Sequence, residues 1–135
     1  GEVVLLNPTP PVPEVPEENQ KISLRASSPE PLADFPDQNR LLGRDAVAQQ
    51  GWGEDEWACL DVLWYSESQW KFTARNPVTG AYGIPQSLPG GKMASQGADW
   101  ETNPVTQIMW GLGYIRDRYG TPCNALAFQS SRGWY

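Results

Sequence analysis

Glu67 is the residue whose placement asks for a chemical explanation. Trp57, Leu60, Leu63 and Trp64 precede it by ten, seven, four and three residues, and Trp70 follows three residues later. At helical periodicity those spacings put the carboxyl on an apolar face. A carboxylate there is costly to bury unless it is paired or put to use. Desolvation favours its neutral form and predicts a raised pKa. A carboxylic acid held neutral near neutral pH is what protonation of a glycosidic oxygen requires. A frayed helix end that lets Glu67 reach water explains the same spacing and stays open at this level.

Other chemistries are excluded by composition. Histidine is absent, which removes Ser-His-Asp and Cys-His nucleophile systems and any His-ligated zinc. No metal motif is present, and no cofactor is expected. The net charge of -6 argues against a nucleic-acid backbone as the main partner. No apolar run approaches the roughly 18 residues of a membrane span, so no membrane insertion is expected. Seven Trp and five Tyr together suit the apolar C–H faces of sugar rings, although for any single Trp a place in the core is the better explanation.

Three helices are predicted to position these residues. The first runs from about Asp37 to Gln50 and stops at Gly51, with Leu41, Leu42, Val47 and Ala48 facing the core. The second starts near Gly53, with Glu56 placed to satisfy its free N–H groups, and reaches Glu67 or Gln69. The third opens at Asn103-Pro104, an N-cap followed by proline at the first helical position. It runs to Tyr119 and ends at Gly120, with Ile108, Leu112, Ile115 and Tyr119 at core spacing. Gly111 and Gly113 inside it cost stability and are tolerated where another backbone or a ligand comes close. A fourth, short helix is predicted around Asn124–Phe128. Between the second and third helices, residues 76–91 are dense in turn signals, and three prolines keep any hairpin there from being a central strand. The fold class predicted is mainly α with a small irregular β element.

The chain is two materials. Residues 1–37 carry seven acids against two bases, and eight of the 13 prolines, whereas every tryptophan lies at or after Trp52. The first segment reads as an extended Pro/Glu-rich tether, a linker within a larger protein, with Val3–Leu6 and Ile22–Leu24 as short apolar pieces able to dock. Residues 38–135 read as one compact domain. The chain begins with Gly rather than Met, and it is read as a processed or trimmed product. Cys59 and Cys123 are the only cysteines. An even pair in a small exported domain predicts a disulfide, with two buried thiols as the alternative.

Several motifs carry a family resemblance. Glu67-Ser68-Gln69-Trp70, Ala74-Arg75-Asn76-Pro77 and Gly80-Ala81-Tyr82-Gly83-Ile84-Pro85-Gln86 resemble the glutamate-serine and glycine-glutamine motifs of the soluble lytic transglycosylases, members of the lysozyme-like superfamily. Residues from about Gly51 to Tyr135 are most similar to an actinobacterial branch. That branch is found in secreted, aggregation-promoting-factor-like cell-wall proteins and at the ends of phage tail tape-measure proteins. Lys92-Met93-Ala94-Ser95, Gly97-Ala98-Asp99-Trp100, Asn103-Pro104 and Gly133-Trp134-Tyr135 are its most specific pieces. The tether has no counterpart.

The resemblance implies an α+β lysozyme-like fold, a helical domain with a short irregular hairpin or loop beside a groove. It implies Glu67 as catalytic acid and then base, acting on the β-1,4 link between N-acetylmuramic acid and N-acetylglucosamine of peptidoglycan. Asn76 sits where the broader family has a serine that holds the catalytic carboxyl, and Gln86 matches the glutamine beside the cleaved bond. Tyr82, Ile84 and Leu88 would line the groove, and Ser68, Trp70 and Tyr114 complete the implied substrate-binding set. The family's late Ala-Tyr-Asn motif is replaced by Ala127-Phe128-Gln129, which loses a phenol and lengthens the amide. The implied setting is extracellular or cell-wall associated, or a phage tail. A lysozyme-type hydrolase, which commonly uses a second carboxylate, and a non-catalytic glycan-binding or structural module are the rival expectations. Asp61, Asp99, Glu101 and Asp117 are the acids available for the former.

Overall fold

The computed structural model describes residues 33–135, and the first 32 residues of the expected tether, with Val3–Leu6 and Ile22–Leu24, lie outside them. The compact unit spans Asp34–Tyr135, so it begins ahead of the predicted boundary at residue 38. Asp34 explains the difference. Its carboxylate accepts from Asn39 Nδ2 at 2.8 Å and from the Thr73 hydroxyl and amide at 2.8 and 3.1 Å, tying the chain down before the first helix.

Among the described residues the domain is helical. Four α-helices, α1 (Pro36–Gln49), α2 (Glu54–Ser68), α3 (Pro104–Tyr119) and α4 (Pro122–Arg132), are joined by a long loop that includes a 3-10 helix (Gly90–Ser95). Helix α2 packs against α1 and α4, and α3 packs against the same two helices. The core between them is built from Val47, Leu60, Leu63, Trp64, Trp70, Ile84, Ile108, Leu112 and Ile115. No helix among the described residues is long and apolar enough to cross a membrane.

Helix α3 matches its signals. The Asn103 side chain accepts from Val105 N, Pro104 opens the first turn, and Gly120 ends the helix. Thr121 caps α4 in the same way, and α4 is longer at both ends than the short helix expected around Asn124–Phe128. Helix α1 corrects its prediction. Leu41 is 63% exposed and Leu42 37%, and Ala48 is also exposed, while Asn39, Gly43, Ala46 and Val47 face inward. The reason is Trp70. Its indole lies so close over Gly43 that a Cβ there would sit 2.5 Å from the ring. The inward face of α1 therefore needs small residues, and a leucine stripe does not fit.

Trp70 reaches that place through two consecutive left-handed residues, Gln69 (φ 54°) and Trp70 itself (φ 62°). Such a conformation costs a non-glycine residue roughly 1–2 kcal/mol and persists only when its surroundings fix it. Here every polar atom of Trp70 is bonded. Its N donates to Ser68 Oγ, its Nε1 to Asp61 Oδ1, and its O accepts from Asn39 Nδ2.

Cys59 and Cys123 form a disulfide between α2 and the first turn of α4. Glu56 lies beside it. Its carboxylate accepts from Cys123 N at 2.9 Å, so Glu56 caps the start of α4 rather than its own helix as predicted. At the other end of this helix pair Gln129 meets Ser66 and Glu67. Helices α2 and α4 therefore run side by side in the same direction.

The expected hairpin is reduced to two isolated antiparallel bridges, Arg75 to Tyr82 and Tyr82 to Ser87, and no strand forms among the described residues. Pro77, Pro85 and Pro89 lack the N–H a ladder needs, and left-handed turns at Gly83 and Gln86 reverse the chain too quickly. The loop is pinned by Gln107 of α3, which is fully buried. Its Oε1 accepts from Ile84 N at 2.9 Å, and its Nε2 donates to Phe72 O and Trp100 O at 3.1 and 2.8 Å. Gly83 has no Cβ because one would lie 2.6 Å from that Oε1.

Candidate active site

Glu67 sits in the last turn of α2, half-buried, and opens into a cleft of about 490 Å³. Asn76, Thr79, Gln86 and Leu88 of the long loop form one wall, Lys92 of the 3-10 helix adds a cation, Trp110 and Tyr114 come from α3, and Trp134 and Tyr135 close the end. The size and the mixture of aromatic faces with a few polar groups suit a small organic ligand. The frayed-end alternative is not what the structure shows: burial pushes the Glu67 carboxyl above its ordinary pKa, and a 3.3 Å hydrogen bond from Gln129 Nε2 only partly opposes this.

The serine after Glu67 explains how the carboxyl is held. Ser68 is buried, and its Oγ donates to Ile84 O at 2.8 Å. It locks the end of α2 to the loop wall without touching the cleft. Gln86 completes that wall in a left-handed conformation (φ 57°). Its Nε2 braces the loop by donating to Ala74 O and Gly83 O, which leaves its Oε1 without a bond to any described residue.

The structure gathers Glu67, Asn76, Gln86, Leu88 and Tyr114 around one cleft, and Gln129 reaches it through its bond to Glu67. It does not bring the others there. Trp70 and Ile84 have no exposed surface and belong to the core, as Ser68 does to the helix end. Tyr82 turns away, donating to Glu101 O at 2.7 Å with its ring edge-on to Trp100. Phe128 packs on Tyr119 and Trp134 and supports the cleft from behind. Asn76 shares the cleft but makes no bond to Glu67. Its Oδ1 accepts from Val78 N and Thr79 N, and the hydrogen bond to the Glu67 carboxyl comes from Gln129 instead.

Among the described residues lining the cleft, Glu67 carries the only side-chain carboxylate. Asp61 is committed to Arg40, at 2.6 Å, and to Trp70 on another side of α2. Asp99 is bonded to Asn103 and Thr106, Glu101 does not reach the cleft, and Asp117 lines a different one.

Sequence reasoning missed Thr79, Lys92, Trp110 and Trp134 of the cleft lining, and also Tyr135 and Gln107, which brace the site. Tyr135 accepts from Trp64 Nε1 at 2.8 Å and donates to Pro85 O at 3.0 Å. Burial, reinforced by the nearby Glu67 charge, pushes its hydroxyl well above the usual phenol range, so it remains a donor. Nothing in the sequence signals that bond. Gln107 did carry a signal: with Gly111 and Ile115 it occupies one helix face, a polar residue in a core position. No family model matches the chain, and no curated protein or solved structure matches it either.

Proposed function

We propose that this domain is a peptidoglycan lytic transglycosylase that cleaves the β-1,4 bond between N-acetylmuramic acid and N-acetylglucosamine, with Glu67 as sole acid and base. One observation carries the reading: a half-buried carboxyl with a raised pKa stands alone among aromatic and amide groups in a cleft of ligand size. The motifs around it supply the substrate class and the lysozyme-like fold. Cell-wall glycan is then the partner, and the extracellular cell wall or a phage tail is the setting.

The chemistry needs no further carboxylate. Glu67, protonated, gives its proton to the glycosidic oxygen as the bond to the muramic acid C1 breaks. The sugar's own acetamido oxygen stabilises the oxocarbenium-like centre. Glu67, now charged, takes the proton from the 6-hydroxyl, and that oxygen closes a 1,6-anhydro ring. Burial favours the first step by favouring the protonated form of the acid, and the Gln129 amide steadies the carboxylate between the two steps. Tyr114, Trp110 and Trp134 offer rings against which sugar faces pack.

The test is digestion of purified peptidoglycan, followed by mass spectrometry of the soluble muropeptides, for the wild type and Glu67→Gln. Products lighter than reducing muropeptides by one water, and missing with the variant, support the proposal. Reducing products would make the domain a hydrolase. No soluble product, with the protein still sedimenting on cell walls, would make it a binding module.

A further inference from the structure

The Glu67 cleft carries polar hydrogens that the fold does not use. Asn76 Oδ1 accepts from Val78 N and Thr79 N at 2.8 and 3.1 Å. Those bonds fix the amide and leave its Nδ2 without a partner among the described residues. Thr79 Oγ1 accepts from Ala81 N at 3.2 Å, so its hydroxyl proton is also free to donate. Lys92 adds an ammonium to the same cleft. Among the described residues the ion pairs are Arg40–Asp61 and Arg44–Glu54, and Lys92 has none. Its backbone is held in place. Met93 beside it is fully buried, and a Cβ on Gly90, at the start of the same 3-10 helix, would lie 2.9 Å from Tyr82. Nor does Lys92 serve the acid as a counter-ion: burial and the Gln129 bond account for the raised pKa of Glu67, and no cation opposes it.

We infer that Lys92, with the Asn76 amide and the Thr79 hydroxyl, binds a carboxylate of the substrate: the one on the lactyl arm of a muramic acid that carries no stem peptide. The inference rests on the glycan reading of the Glu67 cleft. Three donors with no protein acceptor suit a carboxylate, which offers about four lone-pair sites. A bond between an ammonium and a carboxylate is roughly twice as strong as a neutral one. The lactyl arm leaves the sugar ring at C3, close to the C1 at which the bond breaks, so its carboxyl stays within the cleft. With a stem attached, that carboxyl is a neutral amide. The acids of the stem then lie at least one residue farther out, about 3.3–3.6 Å for each extended residue. Glu67 favours its neutral form and so does not repel the incoming anion. The reaction that supplies this substrate is hydrolysis of the amide between lactyl group and peptide: water adds, the carboxylate stays on the sugar, and the stem leaves with a free amine.

The test compares three substrates: peptide-free strands with free lactyl carboxylates, the same strands with those carboxylates converted to N-methylamides, and strands that keep their stems. Anhydro ends released are counted by mass spectrometry to give kcat/KM for the wild type, Lys92→Met and Lys92→Arg. The wild type should prefer the free carboxylate to the methylamide about tenfold, and the preference should shrink as salt is added. Lys92→Met should bring the ratio close to one, and Lys92→Arg, which keeps the charge, should retain most of it. The ratio is internal to each protein, so partial unfolding of a variant does not imitate the effect. Equal cleavage of carboxylate and methylamide strands by the wild type overturns the inference. So does a preference for stem-bearing strands over both peptide-free kinds, which moves the recognised acid to the stem, and so does a carboxylate preference that survives Lys92→Met. In each of these cases cleavage continues and the proposed function stands. No cleavage of any strand overturns both.

Discussion

Replacing Gln107 with leucine should unfold this domain more readily than any surface change, because one side chain satisfies three buried backbone groups. Ile84 N loses its acceptor, and Phe72 O and Trp100 O lose their donor. Each orphaned group costs about 1–3 kcal/mol. Leucine recovers about 1–2 kcal/mol by placing an apolar side chain in the same space. The net loss is about 1–8 kcal/mol, and a value near 3 kcal/mol is already a large part of the about 5–15 kcal/mol that holds a small domain together. Urea unfolding followed by circular dichroism measures it directly, as a lower midpoint at unchanged slope. For a loss of about 3 kcal/mol the fall in melting temperature is roughly 10–20 °C. A second variant, Gln107→Glu, separates bonding from packing. Its new carboxyl can still accept from Ile84 N, but it faces two carbonyls and must be protonated to donate to one of them. Its folded pKa is therefore raised, and its stability is greatest at acid pH and falls as pH rises through that value. A loss below about 1 kcal/mol in Gln107→Leu, or no pH dependence in Gln107→Glu, would refute the view that this amide staples the loop to α3.

Two further predictions concern the helix pair that carries the acid. Reducing the Cys59–Cys123 bond, whose partners are 64 residues apart in sequence, should cost about 4 kcal/mol on the chain-entropy model, read as a lower urea midpoint; an unchanged midpoint would show that packing alone holds α4. Glu67→Gln should be more stable than the wild type at neutral pH. The wild-type carboxyl has a raised folded pKa, so its favourable share of stability is present below the unfolded value of about 4.3 and is lost as pH rises through the folded one. The gap between the two proteins in melting experiments should close at acid pH, and a gap independent of pH would count against a buried, proton-holding acid.

What could be read from the sequence was whatever a local rule controls. The limits of α3 follow from Asn103, Pro104 and Gly120, and the half-buried position of Glu67 follows from counting turns back to Trp64 and Leu60. What could not be read depended on partners distant in sequence. Leu41 and Leu42 look like the core face of α1 until Trp70, 27 residues beyond Gly43, takes that space. Glu56 looks like a cap for its own helix until Cys123 N arrives. Trp70 looks like a groove aromatic because it follows the Glu-Ser pair, yet two left-handed residues fold it under the domain. The cleft itself joins residues 67 and 76 to residues 110, 114, 134 and 135, and no single window of sequence contains that set.

The shared direction of α2 and α4 has an electrostatic consequence. Peptide dipoles align along each helix, leaving a partial negative charge at its C-terminal end. Parallel neighbours place those ends together, an arrangement that repels and that the covalent tie at the opposite ends helps to hold. Glu67 lies in the last turn of α2, and Gln129 brings the last turn of α4 to it. Two negative poles thus converge on one carboxyl. Arg132 in the final turn of α4 offsets part of that field. The remainder resists ionisation of Glu67 in the same sense as its burial, so the directions of two helices add to the desolvation that raises its pKa.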